Sequence, residues 1–236
     1  GLGDVYKRQN YIRPLLAHGF TVFAVQTRSI PRFTVAEMSA DIQRSIRFVR
    51  YNAEGYSIDP DSIGIFGASS GGHLALLAAT TGTTEVDEAS PDPVERMSSA
   101  INAVVAIHPP TDLLNFGEKD RLISTHLREL GFANHGAWDF RAFDAMQGVF
   151  SPLNAVAALE MLRTLSPIHH LTPNAPPALL VHGDKDENVP VSQSKRFVDR
   201  MTALGRQADL HIVEGKSHEL FEGIDQVFVS FFKKHL

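Results

Sequence analysis

The stretch from Ser62 to Ala79 constrains the fold more than any other part of the chain. Ser62-Ile63-Gly64-Ile65-Phe66 is a short apolar run suited to a strand buried on both faces, and Leu74-Ala75-Leu76-Leu77-Ala78-Ala79 is a helix with no polar face. Between them, Gly67-Ala68-Ser69-Ser70-Gly71-Gly72 contains nothing larger than serine. A chain that passes from strand to helix through six small residues is turning tightly at the carboxyl end of a strand.

The same grammar recurs. Thr21 to Val25, Ala103 to Ile107, Ala178 to Val181 and Asp209 to Val213 are short apolar runs that predict further strands. Thr34 and Glu37 have capping-box spacing, and Val35, Met38, Ile42, Ile46 and Val49 then predict an amphipathic helix over 35 to 53. Another helix places Val191, Ser194, Phe197, Val198, Met201 and Leu204 inward, and the last places Ile224, Val227, Phe228, Phe231 and Phe232 on one face. Alternating strands and helices predict an α/β fold, a mostly parallel sheet flanked by helices.

Residues 113 to 165 interrupt the alternation with stretches rich in Leu, Phe and Ala and no clear strand, which predicts a helical cap insertion. The 236 residues, 43% of them hydrophobic, suit one domain spanning 1–236. Residues 1–9 differ from the rest and read as a foreign leader.

The net charge of −5 gives no basic excess, so neither nucleic acid nor an anionic membrane is expected as a partner. No cysteine is present, so disulfides and thiolate metal sites are excluded while the compartment stays open. No run approaches the roughly 18 apolar residues of a membrane span.

Ser69 is the expected nucleophile, because Gly67-Ala68-Ser69-Ser70-Gly71 has the G-x-S-x-G form in a strand-turn-helix context. Chance alone supplies that pattern in roughly a tenth of chains this long, so the context decides. Ser70 competes, but it lacks a glycine two residues before it. Asp186 lies in the loop His182-Gly183-Asp184-Lys185-Asp186-Glu187-Asn188-Val189-Pro190 after a predicted strand, at the sheet edge where α/β proteins bind ligands. Asp184 reads better as a brace for that turn. His218, in Gly215-Lys216-Ser217-His218, is the one histidine in a loop after the last strand. His73 and His182 read as buried structural residues, and His169-His170 as a surface turn with no metal-binding pattern around it. Asp112 reads as a helix N-cap before Leu113. Serine, aspartate and histidine in this order allow an imidazole to take the serine proton while the carboxylate fixes its tautomer.

Asp59-Pro60-Asp61-Ser62-Ile63-Gly64-Ile65-Phe66-Gly67-Ala68-Ser69-Ser70-Gly71-Gly72-His73, the Asp186 loop and the His218 loop together resemble the α/β-hydrolase esterases. Within them, the motifs are similar to those of the acetyl-xylan and feruloyl esterase and prolyl-oligopeptidase-like groups. The resemblance runs from about residue 10 to the end and implies the triad Ser69, Asp186 and His218, with the Ser70 N–H as one oxyanion-hole donor. It also implies an H-G-G oxyanion loop and a third strand before the helix over 10–18. This chain has neither, and His18-Gly19 is a poor substitute. The expectation is therefore a gene truncated at its 5′ end, with N-terminal strands missing and a gap between the strands at 21–25 and 62–66.

The expected activity is cleavage of carboxylic esters through an acyl-serine intermediate, on a small-molecule ester, with no cofactor and no metal. A peptidase-like acyl hydrolase and an inactive truncated or non-catalytic hydrolase-fold protein remain alternatives. Phe140, Phe143, Met146 and Phe150 could line an acyl pocket or form plain core. Acyl and alcohol specificity, oligomeric state and localisation are not assigned by the sequence.

Overall fold

In the computed structural model, residues 11–28, 33–131, 140–144, 146 and 148–236 are described, without the side chains of 141–144 and 150. A helical segment (α1) covers 11–17. Helix α2 (Val35–Tyr51) opens on the expected capping box, in which the Thr34 hydroxyl accepts from the Glu37 N–H and the Glu37 carboxylate accepts from the Thr34 N–H. A single turn, α3 (Ala53–Tyr56), follows it.

The main sheet contains β1 (Gly64–Ala68), β2 (Ala103–Ile107), β5 (Ala178–Gly183) and β6 (Ala208–Val213) in the order β1-β2-β5-β6, and every pairing is parallel. Helix α4 (Ser70–Thr81) joins β1 to β2, α7 (Ser192–Ala203) joins β5 to β6, and α8 (Asp225–His235) closes the chain.

The central strands show why their sequences read as unbroken apolar runs. On β2, Val104 and Ala106 join a core under α2, α4 and α7, whereas Ala103, Val105 and Ile107 join a second core under α1 and α8. On β5, Leu180 faces the first core and Leu179 and Val181 the second. Each face is covered, so no position favours a polar side chain. Helix α4 is wedged between sheet and α2 with Gly72 through Ala79 all buried, which accounts for its lack of a polar face.

Three expectations need correction. Residues 21–28 form no strand, so Thr21–Val25 lies unpaired. An apolar β-branched run becomes a strand only with a ladder partner for its N–H and C=O groups, and among the described residues none is beside it. It has not closed up on β1, which among the described residues forms one edge of the sheet and is only half-buried throughout. The second correction concerns the segment after β2. It does contain helices, α5 (Ile123–Glu129) and α6 (Ala155–Thr164), but it also holds an antiparallel hairpin, β3 (Arg141–Asp144) with β4 (Val149–Pro152). Asp112 likewise caps a turn rather than a helix, accepting from the Leu114 and Asn115 N–H groups. The reading of 1–9 as a leader falls outside the described residues.

Candidate active site

The carboxyl ends of β1, β2, β5 and β6 lie at one edge of the sheet, and the loops leaving them meet there. The first is the turn from β1 into α4. Ser69 has φ 55° and ψ −121°, a conformation that non-glycine residues rarely adopt and that costs about 1–3 kcal/mol. It is held from both sides. Its N–H donates to the Ile107 carbonyl at 2.9 Å, extending the β1–β2 ladder by one residue, and its carbonyl accepts from the His73 N–H at 2.9 Å to begin the helix.

Small residues are needed at two points of this turn. A Cβ on Gly67 would lie 2.2 Å from the Gly71 carbonyl oxygen, and one on Gly72 would lie 3.1 Å from the Ile107 oxygen and 3.3 Å from the Pro109 side chain. A Cβ on Gly71 would meet nothing within 4 Å. The steric demand expected across the whole run 67–72 thus falls on Gly67 and Gly72. Ser70 is the first residue of α4, where a backbone N–H has no carbonyl one turn back within the helix.

The second loop, after β5, carries Asp186. Its side chain is fully buried. One carboxylate oxygen accepts from the Val189 N–H at 2.9 Å, and the other accepts from His218 Nδ1 at 2.8 Å. His182 Nε2 is bonded to the Val189 carbonyl at 2.8 Å and lies 3.4 Å from that second oxygen, while its Nδ1 is bonded to Ser194 Oγ at 2.7 Å. Burial alone would push the Asp186 carboxyl up, but the nearby His182 ring and the hydrogen bonds from His218 and Val189 outweigh it and hold the group well below the usual carboxylate range. It stays ionised and acts only as an acceptor.

The third loop, after β6, carries His218. Asp184 braces it by accepting from the Gly215 N–H at 2.6 Å, and the Lys185 N–H donates to the Lys216 carbonyl at 2.9 Å. The two loops can touch because residue 183 is glycine: a Cβ there would sit 2.3 Å from the Lys216 oxygen. His218 Nε2 reaches Ser69 Oγ at 2.9 Å. With Nδ1 committed to donating to a carboxylate, neutral His218 has its lone pair at Nε2, so the Ser69 hydroxyl donates to it.

The structure therefore brings Ser69, His218 and Asp186 together in one hydrogen-bonded relay across three loops that are distant in sequence. Three further histidines singled out in the sequence have settings of their own. His73 is buried and bonded through Nδ1 to the Pro110 carbonyl, and His169 and His170 sit in the 3₁₀ turn Pro167–His170 away from the relay. Phe140 belongs to the main core and Met146 is 98% exposed; the side chains of Phe143 and Phe150 fall outside the described residues.

Sequence reasoning missed three residues that touch the relay or hold the loops around it. His108, the first residue after β2, is 3% exposed and its ring lies 4.1 Å from that of His218, centroid to centroid. Its φ is 37°, and its Nδ1 is buried without a hydrogen-bond partner. Burial pushes its imidazole down to about 3, so it is neutral. His126 of α5 is bonded through Nε2 to the Glu187 and Asn188 carbonyls, tethering the Asp186 loop. Gln193, fully buried at the start of α7, accepts from the Thr111 and Asp112 N–H groups and holds the chain leaving β2. Only His108 had a usable signal: it follows a predicted strand at the same sheet edge as the other three loops.

Comparison with known proteins places the chain among esterase-like relatives. The chain is 28% identical over 213 residues to the probable carboxylic ester hydrolase LipM of Mycobacterium tuberculosis, an alignment covering 85% of this chain and 42% of that protein. The chain thus spans less than half the length of that curated relative. Among solved structures it resembles a truncated carbohydrate esterase from gut microbiota (TM-score 0.75, 26% identity, 96% of this chain and 78% of that one). It also resembles an acetyl ester-xyloside bifunctional hydrolase from Caldicellulosiruptor lactoaceticus (TM-score 0.71, 28% identity, 94% and 71%). These structures share the α/β-hydrolase arrangement of a parallel sheet between helices. The family model BD-FAE matches residues 2–201, and the chain belongs to the BD-FAE family of α/β-hydrolase-fold proteins.

Proposed function

We propose that this protein is a serine hydrolase that cleaves carboxylic esters of small molecules, with Ser69 as nucleophile, His218 as base and Asp186 as the group that orients and charges the base. The observation that carries this is the unbroken relay, 2.9 Å from Ser69 Oγ to His218 Nε2 and 2.8 Å from His218 Nδ1 to Asp186. As Ser69 Oγ attacks the ester carbonyl, its proton passes to Nε2, and the imidazolium is stabilised by the buried carboxylate. Collapse of the tetrahedral adduct expels the alcohol, which takes that proton. Water then attacks the acyl-serine by the same route, releasing the acid and restoring the hydroxyl.

The Ser70 N–H, at the start of α4, is the donor we assign to the developing oxyanion, aided by the positive end of the helix dipole. The carbohydrate and carboxylic esterases among the similar proteins support an ester over an amide substrate. We also read the chain as one domain in which 113–165 is the cap, a reading favoured by the grip of His126 on the Asp186 loop.

Hydrolysis of p-nitrophenyl acetate tests the proposal. Ser69→Ala should lower kcat by about 10³-fold or more. A fluorophosphonate should label Ser69 in the unaltered chain and nothing in the variant. Cleavage of aminoacyl anilides in preference to esters would favour the peptidase-like alternative. Labelling without turnover would favour the inactive one.

A further inference from the structure

His108 is an expensive choice if its task is only to pack against His218. A phenylalanine would fill the same space without a buried nitrogen that lacks a partner, and an orphan of that kind points to a role such as holding a ligand. The chain also holds this residue at φ 37°, in a left-handed conformation directly before Pro109. Together these features keep an imidazole that carries an unpaired nitrogen beside the relay. His108, Asp186 and His218 each present one ligand atom, and the three atoms lie within 4.8 Å of one another.

We infer that His108, His218 and Asp186 form an inhibitory site for a borderline divalent cation such as Zn²⁺, which takes up the base and switches hydrolysis off. The inference rests on the catalytic reading of His218 for its consequence, but the binding itself does not. Two imidazoles and one carboxylate, with a water in the fourth position, are a donor set that zinc accepts.

Bonds of about 2.0–2.1 Å in a tetrahedron place donors roughly 3.3 Å apart, so the widest pair must draw in by about 1.5 Å. His218 lies on a loop entered through Gly215 at φ 70°, and its side chain is 19% exposed, which gives the ion an approach and the ring room to shift.

The atoms also specify how inhibition works. Of the two His218 nitrogens, Nδ1 is the one beside Asp186, at 2.8 Å, so the ion binds there. Coordination requires a lone pair at Nδ1, so the proton leaves Nδ1 and one is taken up at Nε2, with no net change in protons bound. An Nε2 that carries a proton cannot accept one from Ser69. The imidazole survives intact, and chelation returns it to its working tautomer.

Titrating the metal-free chain with Co²⁺ reads binding without reference to activity. A visible absorption spectrum of tetrahedral intensity at one equivalent is expected, and Zn²⁺ should displace it. In parallel, about 100 µM Zn²⁺ should lower ester hydrolysis at least about tenfold, with full recovery on adding EDTA. In H108F both effects should weaken by about tenfold or more, each rate being compared with the variant's own zinc-free rate. On the unaltered chain, the low-field proton resonance of His218 Nδ1 should vanish as zinc is added. That measurement decides the matter if H108F does not fold. Absence of cobalt binding, retention of the Nδ1 proton signal under zinc, or undiminished binding and inhibition in H108F would overturn the inference. If cobalt binds as described but p-nitrophenyl esters are never hydrolysed, the site stands and the catalytic reading fails.

Discussion

Two buried, neutral imidazoles should make this fold sensitive to mild acid. Burial pushes His73 down to about 4 from an ordinary value of 6.5. It pushes His108 down to about 3, and the neighbouring His218 adds to the shift. The sign follows from proton counting: below 6.5 the unfolded chain protonates both groups and the folded chain protonates neither. Stability therefore falls as pH drops from 6.5, and the loss levels off only once pH passes the folded values. At about pH 5 the gap is about 1.5 units for each group, which at 1.36 kcal/mol per unit is about 2 kcal/mol per imidazole and about 4 kcal/mol for both.

Against a total of about 5–15 kcal/mol for an ordinary domain, that is a large fraction. Urea unfolding followed by circular dichroism at about pH 7.5 and about pH 5, with EDTA present, measures it. Other titrating groups contribute to the raw difference, so the diagnostic quantity is the change caused by H73L and by H108F. Each should reduce the loss between the two pH values by about 2 kcal/mol, whatever it does to stability at about pH 7.5. If either variant shows the same pH dependence as the unaltered chain, that histidine is not held neutral by burial and the reasoning is wrong.

Asp186→Asn should leave the fold intact and lower kcat for p-nitrophenyl acetate by about 10³–10⁴-fold with little change in KM, because the amide can donate to His218 and favour the wrong tautomer. A loss under about tenfold in steady-state kinetics would mean that the carboxylate does not serve the base. The two glycines of the nucleophile turn should behave oppositely. Gly67→Ala places a methyl group 2.2 Å from a backbone oxygen and should destabilise by several kcal/mol or prevent folding, whereas Gly71→Ala meets nothing within 4 Å and should cost less than about 1 kcal/mol in the same urea assay.

How far the sequence could be read depended on whether a feature was set by its own neighbours in the chain. The capping box at Thr34 and Glu37 is local chemistry, and the helix begins there as expected. Strands β2 and β5 were legible because burial on both faces leaves a short unbroken apolar run, which a strand with one solvated face would not carry. Thr21–Val25 carries the same local signal and yet forms no strand. A strand's hydrogen bonds come from another segment, and composition cannot show whether that segment is in place. The hairpin β3–β4 was missed for the converse reason: its pairing of Ala142 with Ser151 and Phe143 with Phe150 lies in a stretch whose composition suits helices as well.

The candidate site shows the same division. Ser69 was legible because a strained turn needs small residues around it, and that need is written in consecutive positions. Asp186 and His218 were legible as loop residues after strands, since a parallel sheet sends every such loop to one edge. The contacts that hold the surrounding loops were not. Gln193 meets Thr111 across 82 positions, His126 meets Glu187 across 61, and His108 meets His218 across 110 residues of chain. No periodicity links such pairs, yet the parallel topology makes one general expectation available. A polar residue immediately after any central strand of such a sheet stands within reach of the relay, whatever its immediate neighbours. By that rule His108 is a candidate on sequence grounds, as the only ionisable residue in the eight positions following Val104, apart from Asp112. A neutral imidazole placed there, unpaired and 4.1 Å from the base, is the point at which this chain departs most from what a bare triad requires.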